Sequence, residues 1–196
     1  YKRQPTYRGQ QLQPGDIWYL DTDGSGNVDD MDKEVIGDPN PSFTYGFSTS
    51  FRWKSLSLSM MFDGVYGNQI ANGNLLPETN TSPTGNNLHN VRTEAYLGAW
   101  SESNQDARYP RLNRTAGQTK DFTDRILENG SYMRLSAVTL SYQFNFKRTS
   151  VVKNLGLSFT VRNAFPWSSY SGWDPEVSSF TNNALKVGVD WSSYPS

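Results

Sequence analysis

The 196-residue chain contains no cysteine, a single histidine and almost no net charge. The absence of cysteine excludes disulfide bridges and thiolate chemistry. A formal net charge of −1 gives no basis for a nucleic-acid groove or a polybasic membrane patch, so we expect no nucleic-acid partner. The histidine, His89, lacks the partners that a catalytic triad or a zinc site requires. The sequence shows no coherent catalytic constellation, so we expect that the chain is not an enzyme.

Long apolar runs are also absent, and no stretch reaches the roughly 18 residues of a membrane-spanning helix. The opening residues YKRQPTYRGQ are polar and lack an initiator methionine, which favours a piece of a longer protein without a signal peptide of its own. Mean hydropathy is low, at −0.68, yet aromatic residues make up 14% of the chain. Because disordered chains are poor in aromatics, we expect an ordered fold.

An acidic stretch, LDTDGSGNVDDMDKEV at residues 20–35, has the spacing of an EF-hand calcium loop. Oxygen-bearing side chains recur at alternating positions, as a cation that takes six to eight oxygens requires, and Gly26 allows the sharp turn. Val28 is positioned to anchor the loop by backbone pairing or packing. The candidate calcium ligands are Asp21, Asp23, Ser25, Asn27, Asp29 and Asp32. Among them, Asn27 is expected to offer its backbone carbonyl.

The alternative for this stretch is a polar turn with Asx caps, because Asp, Asn and Gly favour turns. The preceding PGDIWYL has an extended pattern rather than a helical one. The motif therefore predicts an EF-hand-like loop outside an EF-hand, which is a structural staple rather than a sensor switch.

Four segments alternate apolar and polar residues with the period of two that is typical of half-apolar strands. They are residues 43–53, 56–66, 131–146 and 155–165. Each has about ten residues or more, which a tilted strand needs to cross a bilayer, whereas ordinary strands have about five or six.

The connections alternate between short (54–55 and 147–154) and long (67–130, and from 166 onward), which is typical of outer-membrane barrels with short periplasmic turns and long extracellular loops. The predicted fold class is therefore all-β, a transmembrane antiparallel β-barrel. A soluble calcium-stabilised β-domain that binds glycans is the alternative, because half-polar strands also occur in soluble sandwiches.

Several motifs resemble one family in its own order. The string GDIWYLDTDGSGNVDDMDKEVIGDPNPSFTYGF at 15–47 resembles the late segment of SusC/RagA-type TonB-dependent transporters of Bacteroidetes outer membranes. FDGVYGN at 62–68, ENGSYMRLSAVTLSYQF at 128–144 and RNAFPWSSYSGWDPEV at 162–177 are further matches. Two departures are Ser25, where the family often has Asp, and Pro166, which suits a strand end because it has no N–H to donate.

The resemblance implies a C-terminal part of a 22-stranded barrel that imports large nutrients, oligosaccharides or peptides, through the bacterial outer membrane. It further implies a SusD-like surface lipoprotein as the lid, and TonB acting through an N-terminal part outside this chain. In those terms, residues 1–42 form an extracellular loop with the calcium motif. Residues 43–165 supply four late strands with the extracellular loop 67–130, and residues 166–196 form an extracellular loop before a last strand outside the chain.

The long loop 67–130 contains candidate ligand-binding residues. Trp100, Tyr109 and Arg111 could hold a sugar or a peptide by stacking and hydrogen bonding, or could pack the loop on itself or on the lid. Asp174 and Glu176 have the residue types of a glycosidase pair, but their place in SGWDPEV favours a turn motif.

Overall fold

The structure is a computed structural model that describes residues 6–78, 91–112, 122–146, 151–176 and 187–191. His89 lies outside the described residues. The strands are, in chain order, β1 (Thr6–Tyr7), β2 (Gln10–Gln11), β3 (Asn27–Val28), β4 (Phe43–Trp53), β5 (Leu56–Tyr66), β6 (Gln69–Asn72), β7 (Leu127–Asn129), β8 (Tyr132–Asn145), β9 (Asn154–Ser168) and β10 (Val189–Asp190). Two short α-helices, α1 (Leu75–Glu78) and α2 (Thr93–Leu97), and two 3-10 turns, Asp30–Asp32 and Asp124–Ile126, lie between them.

The four long strands form one antiparallel sheet in the order β4-β5-β8-β9. β4 and β5 have the bounds that the alternation predicts, and β8 differs from its prediction by one residue at each end. β9 is longer than predicted, since it continues through Pro166 to Ser168. The expectation that Pro166 ends this strand is therefore wrong. Pro166 lies directly after the register shift between β8 and β9, and proline is found in sheets at such irregularities.

Cross-strand pairing gives this sheet one apolar and one polar face, because paired residues share a face. One apolar row consists of Phe51, Leu58, Leu140 and Phe159. The adjacent row on the other face consists of Ser50, Ser59, Thr139 and Thr160. In that row the Thr139 and Thr160 hydroxyl oxygens lie 3.0 Å apart. Phe51 and Phe159 are 64% and 69% exposed, so the apolar face is open to its surroundings in this chain.

A β-bulge at Ser136 keeps the apolar residues of β8 on one face. Phe62 pairs with Leu135 and its neighbour Met61 pairs with Ala137, so β8 carries one extra residue at this point. The Ser136 hydroxyl donates to the Met61 carbonyl over 3.0 Å. An inserted residue reverses the alternation beyond it. Odd-numbered Leu135 and even-numbered Val138 therefore share the apolar face.

The chain divides into two compact units that are not consecutive in sequence. The first comprises 1–37 and 72–126, and the second comprises 38–71 and 127–196. The first contains the small sheet β2-β1-β3, and the second contains the four long strands. The sheet β10-β6-β7 lies in the second unit apart from the last residue of β6. Short β6 and β7 lie within the predicted loop 67–130, where no apolar alternation marks them.

Within the described residues, helices are too short to cross a membrane.

Gly64 in β5 gives a test of packing in the long sheet. A Cβ at Gly64 would collide with the Tyr132 carbonyl oxygen and would lie 2.5 Å from Cζ of Tyr45. The hydroxyl of Tyr45 donates to that same carbonyl over 3.1 Å. We expect Gly64→Ala to lower the free energy of unfolding of the full-length protein by about 1–3 kcal/mol, as overpacking does.

The measurement is thermal unfolding in detergent. Gly156→Ala in β9 is the matched control, because a Cβ there meets no atom within 4 Å. Equal melting temperatures for the two variants would contradict the packing argument.

Candidate metal loop and neighbouring cleft

Three carboxylates of the acidic loop converge. Oxygen atoms of Asp21, Asp23 and Asp32 all lie within 4.8 Å of one another. Backbone N–H groups of the loop hold them in place, since that of Ser25 donates to both Asp21 (3.1 Å) and Asp23 (2.9 Å). The N–H of Gly26 donates to the second oxygen of Asp21 over 2.8 Å. The loop therefore gathers negative oxygen around one point, which is what a hard cation requires.

Asp32 closes the loop on itself. Its Oδ1 accepts from the Thr22 N–H and its Oδ2 from the Asp29 N–H, both over 2.8 Å. The hydrogen bond from Asp29 is the main cause that lowers the pKa of Asp32 below its usual value, and the bonds from Thr22 and Asp23 act in the same direction. The charged form, which is the metal-binding form, is thus the favoured one.

The other three predicted ligands, Ser25, Asn27 and Asp29, make different hydrogen bonds within the loop and to its neighbours. The Ser25 hydroxyl donates to the Asn27 carbonyl over 3.0 Å, so these two groups meet inside the loop. The side-chain oxygen of Asn27 accepts from Thr6 Oγ1 and from the Gly9 N–H, both over 2.8 Å, which leaves its carbonyl as the group that faces the loop. Asp29 caps the 3-10 turn by accepting from the Met31 N–H over 2.9 Å.

Backbone geometry and a small apolar cluster fix the loop in the first unit. Gly26 has a φ of +83°, in the left-handed region that glycine favours. Val28 is buried with Tyr7 and Leu12, and its strand β3 pairs in parallel with β1. The Tyr7 ring stacks on Tyr19 with centroids 4.8 Å apart. Val28 thus anchors the loop by both backbone pairing and packing.

A cleft with a volume of about 990 Å³ lies within the first unit beside this loop. Trp100 and Tyr109, two of the three candidate ligand-binding residues, line it. Sequence reasoning missed Trp18 and Phe122, which also line it and are half exposed. Arg125 lies there as well, and its pKa is lowered mainly by burial. The volume is within the range of small-molecule sites.

Arg111, the third candidate, is engaged within the chain. Its Nε donates to Oδ1 of Asp16 over 2.7 Å, and the Asp16 side chain is only 6% exposed. The Arg111 N–H also donates to the Gly15 carbonyl over 2.8 Å. The Trp100 indole lies against Gly15, where a Cβ would come within 2.5 Å of it. Arg111 therefore fastens residues 15–16 against the wall that carries Trp100.

Asp174 and Glu176 also have a structural partner. One guanidinium, that of Arg134, donates to Asp174 over 2.6 Å and to Glu176 over 2.5 Å. Both carboxylates thus hold the segment after β9 through a single cation.

Comparison with known proteins identifies relatives along nearly the whole chain. No family model matches it. A TonB-dependent receptor of Formosa agariphila is 30% identical over 188 residues, which are 93% of this chain and 18% of the relative. The TonB-dependent receptor SusC of Bacteroides thetaiotaomicron is 28% identical over 185 residues, which are 93% of this chain and 17% of the relative. The chain thus spans less than a fifth of the length of these relatives.

Among solved structures, the RagAB peptide importer in its closed-closed state is similar, with a TM-score of 0.71 and 26% identity over 91% of this chain and 19% of that chain. The open-open state has a TM-score of 0.63 over 80% of this chain and 16% of that chain, again at 26% identity. These findings confirm the resemblance to SusC/RagA-type transporters and the predicted all-β barrel class.

The Asp16–Arg111 pair should dominate the stability of the first unit. Arg111→Gln leaves the buried Asp16 carboxylate without its cation, at a cost of about 3 kcal/mol. We expect faster hydrogen exchange at 15–20 and 99–112 in the full-length protein. Arg108→Gln removes the same charge from a residue without an ion pair in the described part of the chain, and should change exchange little. Equal exchange in both variants would show that the pair stabilises nothing.

Proposed function

We propose, from the homology of this chain to SusC/RagA-type TonB-dependent transporters, that it forms late strands and extracellular segments of an outer-membrane importer of large nutrients. The relatives are receptors and transporters rather than enzymes. Because the chain corresponds to less than a fifth of each relative, the import activity is a proposal for the complete protein.

The observation that carries the proposal is the two-faced long sheet. β4, β5, β8 and β9 have 11 to 15 residues each, and their apolar rows remain open, while hydroxyl side chains line the opposite face. A membrane barrel has apolar residues outside and polar residues inside, so lipid would cover the first face and a wet passage the second. Strand edges cannot remain unpaired in lipid, so further strands must complete the barrel.

The proposed orientation places the short turn 54–55 in the periplasm and the long connections outside a bacterial cell. On that basis 1–42, 67–130 and the part of the predicted loop 166–196 that follows β9 lie on the extracellular side, where a modest-affinity calcium site would stay filled.

The proposed partners are a SusD-like surface lipoprotein as lid, TonB through another part of the protein, and an oligosaccharide or peptide as cargo. Support comes from the similarity to SusC and to a complex described as a peptide importer. Within the chain, the cleft with Trp18, Trp100 and Tyr109 is the proposed contact for cargo, because exposed rings stack on sugars and on peptide side chains. Arg111 would not contact the cargo itself but would hold residues 15–16 against Trp100.

We further propose that the acidic loop binds calcium through Asp21, Asp23 and Asp32, with Ser25, the Asn27 carbonyl and Asp29 completing the oxygen set. The converging carboxylates support this proposal. Asp29 would act through a water molecule, because its carboxylate caps the 3-10 turn. The ion would tighten an extracellular loop and would take no part in transport chemistry.

Membrane residence is the first test. We expect the full-length protein to fractionate with outer membranes and to need detergent for extraction. Phe159→Lys should reduce the folded protein in the membrane, because lysine facing lipid costs about 2–4 kcal/mol near the bilayer midplane. Thr160→Lys, one residue away on the polar face, should be tolerated. A protein that stays in solution without detergent would instead favour the soluble, calcium-stabilised glycan-binding domain.

Calcium binding is tested by protease digestion of the loop with calcium and with a chelator. Calcium should slow cleavage in the unaltered protein, and Asp21→Asn with Asp23→Asn should abolish that protection because two converging carboxylates lose their charge. Asp30→Asn is the control, since Asp30 pairs with Lys33 at 2.8 Å. Cleavage of the unaltered protein that ignores the chelator would count against the site.

A further inference from the structure

Arg134 is a buried cation on the polar face of the long sheet. It pairs across the strands with Asp63 and Pro166, two residues from the start of β8. Its side chain is only 8% exposed, and its guanidinium lies 5.2 Å from the Tyr132 ring. A cation in such a place is stable only if it is paired.

The pairing comes from the segment that follows β9. Nη2 donates to Asp174 over 2.6 Å and Nη1 to Glu176 over 2.5 Å, so one planar guanidinium holds two carboxylates at once. Arginine suits this geometry because its donors are fixed in a fork. The Glu176 N–H also donates to Asp174 over 2.9 Å, which sets the two acids side by side.

Two more sets of hydrogen bonds hold the same segment to strands of the second unit. The Ser171 N–H and hydroxyl both donate to the Glu128 carboxylate over 2.7 Å. The buried Tyr170 hydroxyl donates to Asp190 over 2.5 Å. We call residues 170–176 the strap. Three sets of contacts hold the strap, and each of them involves a carboxylate. Ser171 is bound to Glu128 of β7, Asp174 and Glu176 to Arg134 of β8, and Tyr170 to Asp190 of β10.

The position of Arg134 indicates where the strap runs. The guanidinium rises from the polar face at the end of the sheet that contains Tyr66, Tyr132 and Ser168. In the proposed orientation this is the extracellular end. Because Asp174 and Glu176 contact the guanidinium, this part of the strap lies over the polar face at that end, which the proposed orientation makes the mouth of the passage.

We infer that Arg134 is the positioning residue of a strap, residues 170–176, that narrows the extracellular mouth of the passage. This inference rests on the proposed function for one point, that the polar face borders a wet passage. The attachment of the strap to the sheet strands does not depend on the proposed function, because it is shown by ion pairs and hydrogen bonds within the second unit.

The fastening is tested by hydrogen–deuterium exchange of the full-length protein in detergent. Arg134→Gln should speed exchange in the strap by about tenfold or more, while the middle of β8 and β9 stays protected. Arg162→Gln is the matched control, because Arg162 lies on the same face but is exposed and without an ion pair in the described residues. If Arg134→Gln prevents folding, Glu176→Gln serves instead, since that carboxylate is largely exposed. If the folded variant exchanged hydrogen in the strap at the same rate as the unaltered protein, Arg134 would not be what holds the strap in place.

The narrowing is tested in intact cells with a cysteine placed deeper on the polar face, Ser59→Cys. A small maleimide should label it in every background, and failure to do so would refute the wet passage, hence the proposed function. A maleimide on a polyethylene glycol chain should label it about tenfold faster with Arg134→Gln than with Arg162→Gln, because a loosened strap opens the mouth. Equal labelling by the large probe, with normal labelling by the small one, would refute the narrowing alone.

Discussion

The structure depends on cross-strand register. Only one register places Phe51, Leu58, Leu140 and Phe159 in one row, and a shift by a single residue would mix them with the serines and threonines of the other face. The bulge at Ser136 is needed for this register, because it places the apolar residues before and after it in β8 on the same face of the sheet. A sheet with one apolar and one polar face requires an apolar environment on one side and water on the other. The proposed membrane location supplies lipid for the first face and a wet passage for the second.

Carboxylates organise the irregular parts of the chain. In the acidic loop they accept backbone N–H groups, and at Asp16 a carboxylate pairs with Arg111. Asp174 of the strap pairs with Arg134, and Glu128 of β7 accepts from Ser171 of the strap. Buried apolar residues are few in the described part of the first unit, where Tyr7, Leu12 and Val28 form a small cluster. Segments with so little apolar burial depend on hydrogen bonds and ion pairs for a defined shape.

Much of the fold was predictable because strand alternation is a local property. The bounds of β4 and β5 follow from the period of two, and the acidic loop follows from its spacing. The ends of β9 were less predictable, since Pro166 is acceptable next to a register shift and pairing extends beyond it to Ser168. β6, β7 and β10 escaped prediction because strands of two to four residues carry no periodicity of their own. At the cleft, Trp100 and Tyr109 were foreseen as aromatic loop residues, whereas Trp18 belongs to it only through the chain's folding.

The amino-acid sequence by itself determined the two-faced strands, the oxygen-rich loop and the kinship with SusC/RagA-type transporters, because each depends on residues that are close in the chain or on motifs in a fixed order. Tertiary structure decided which charges meet. Arg134 is 40 residues from Asp174, and Arg111 is 95 from Asp16, so no local pattern links them. Pairing across such separations arises only when strands and loops bring the groups within hydrogen-bond distance, where burial makes an unpaired charge too costly.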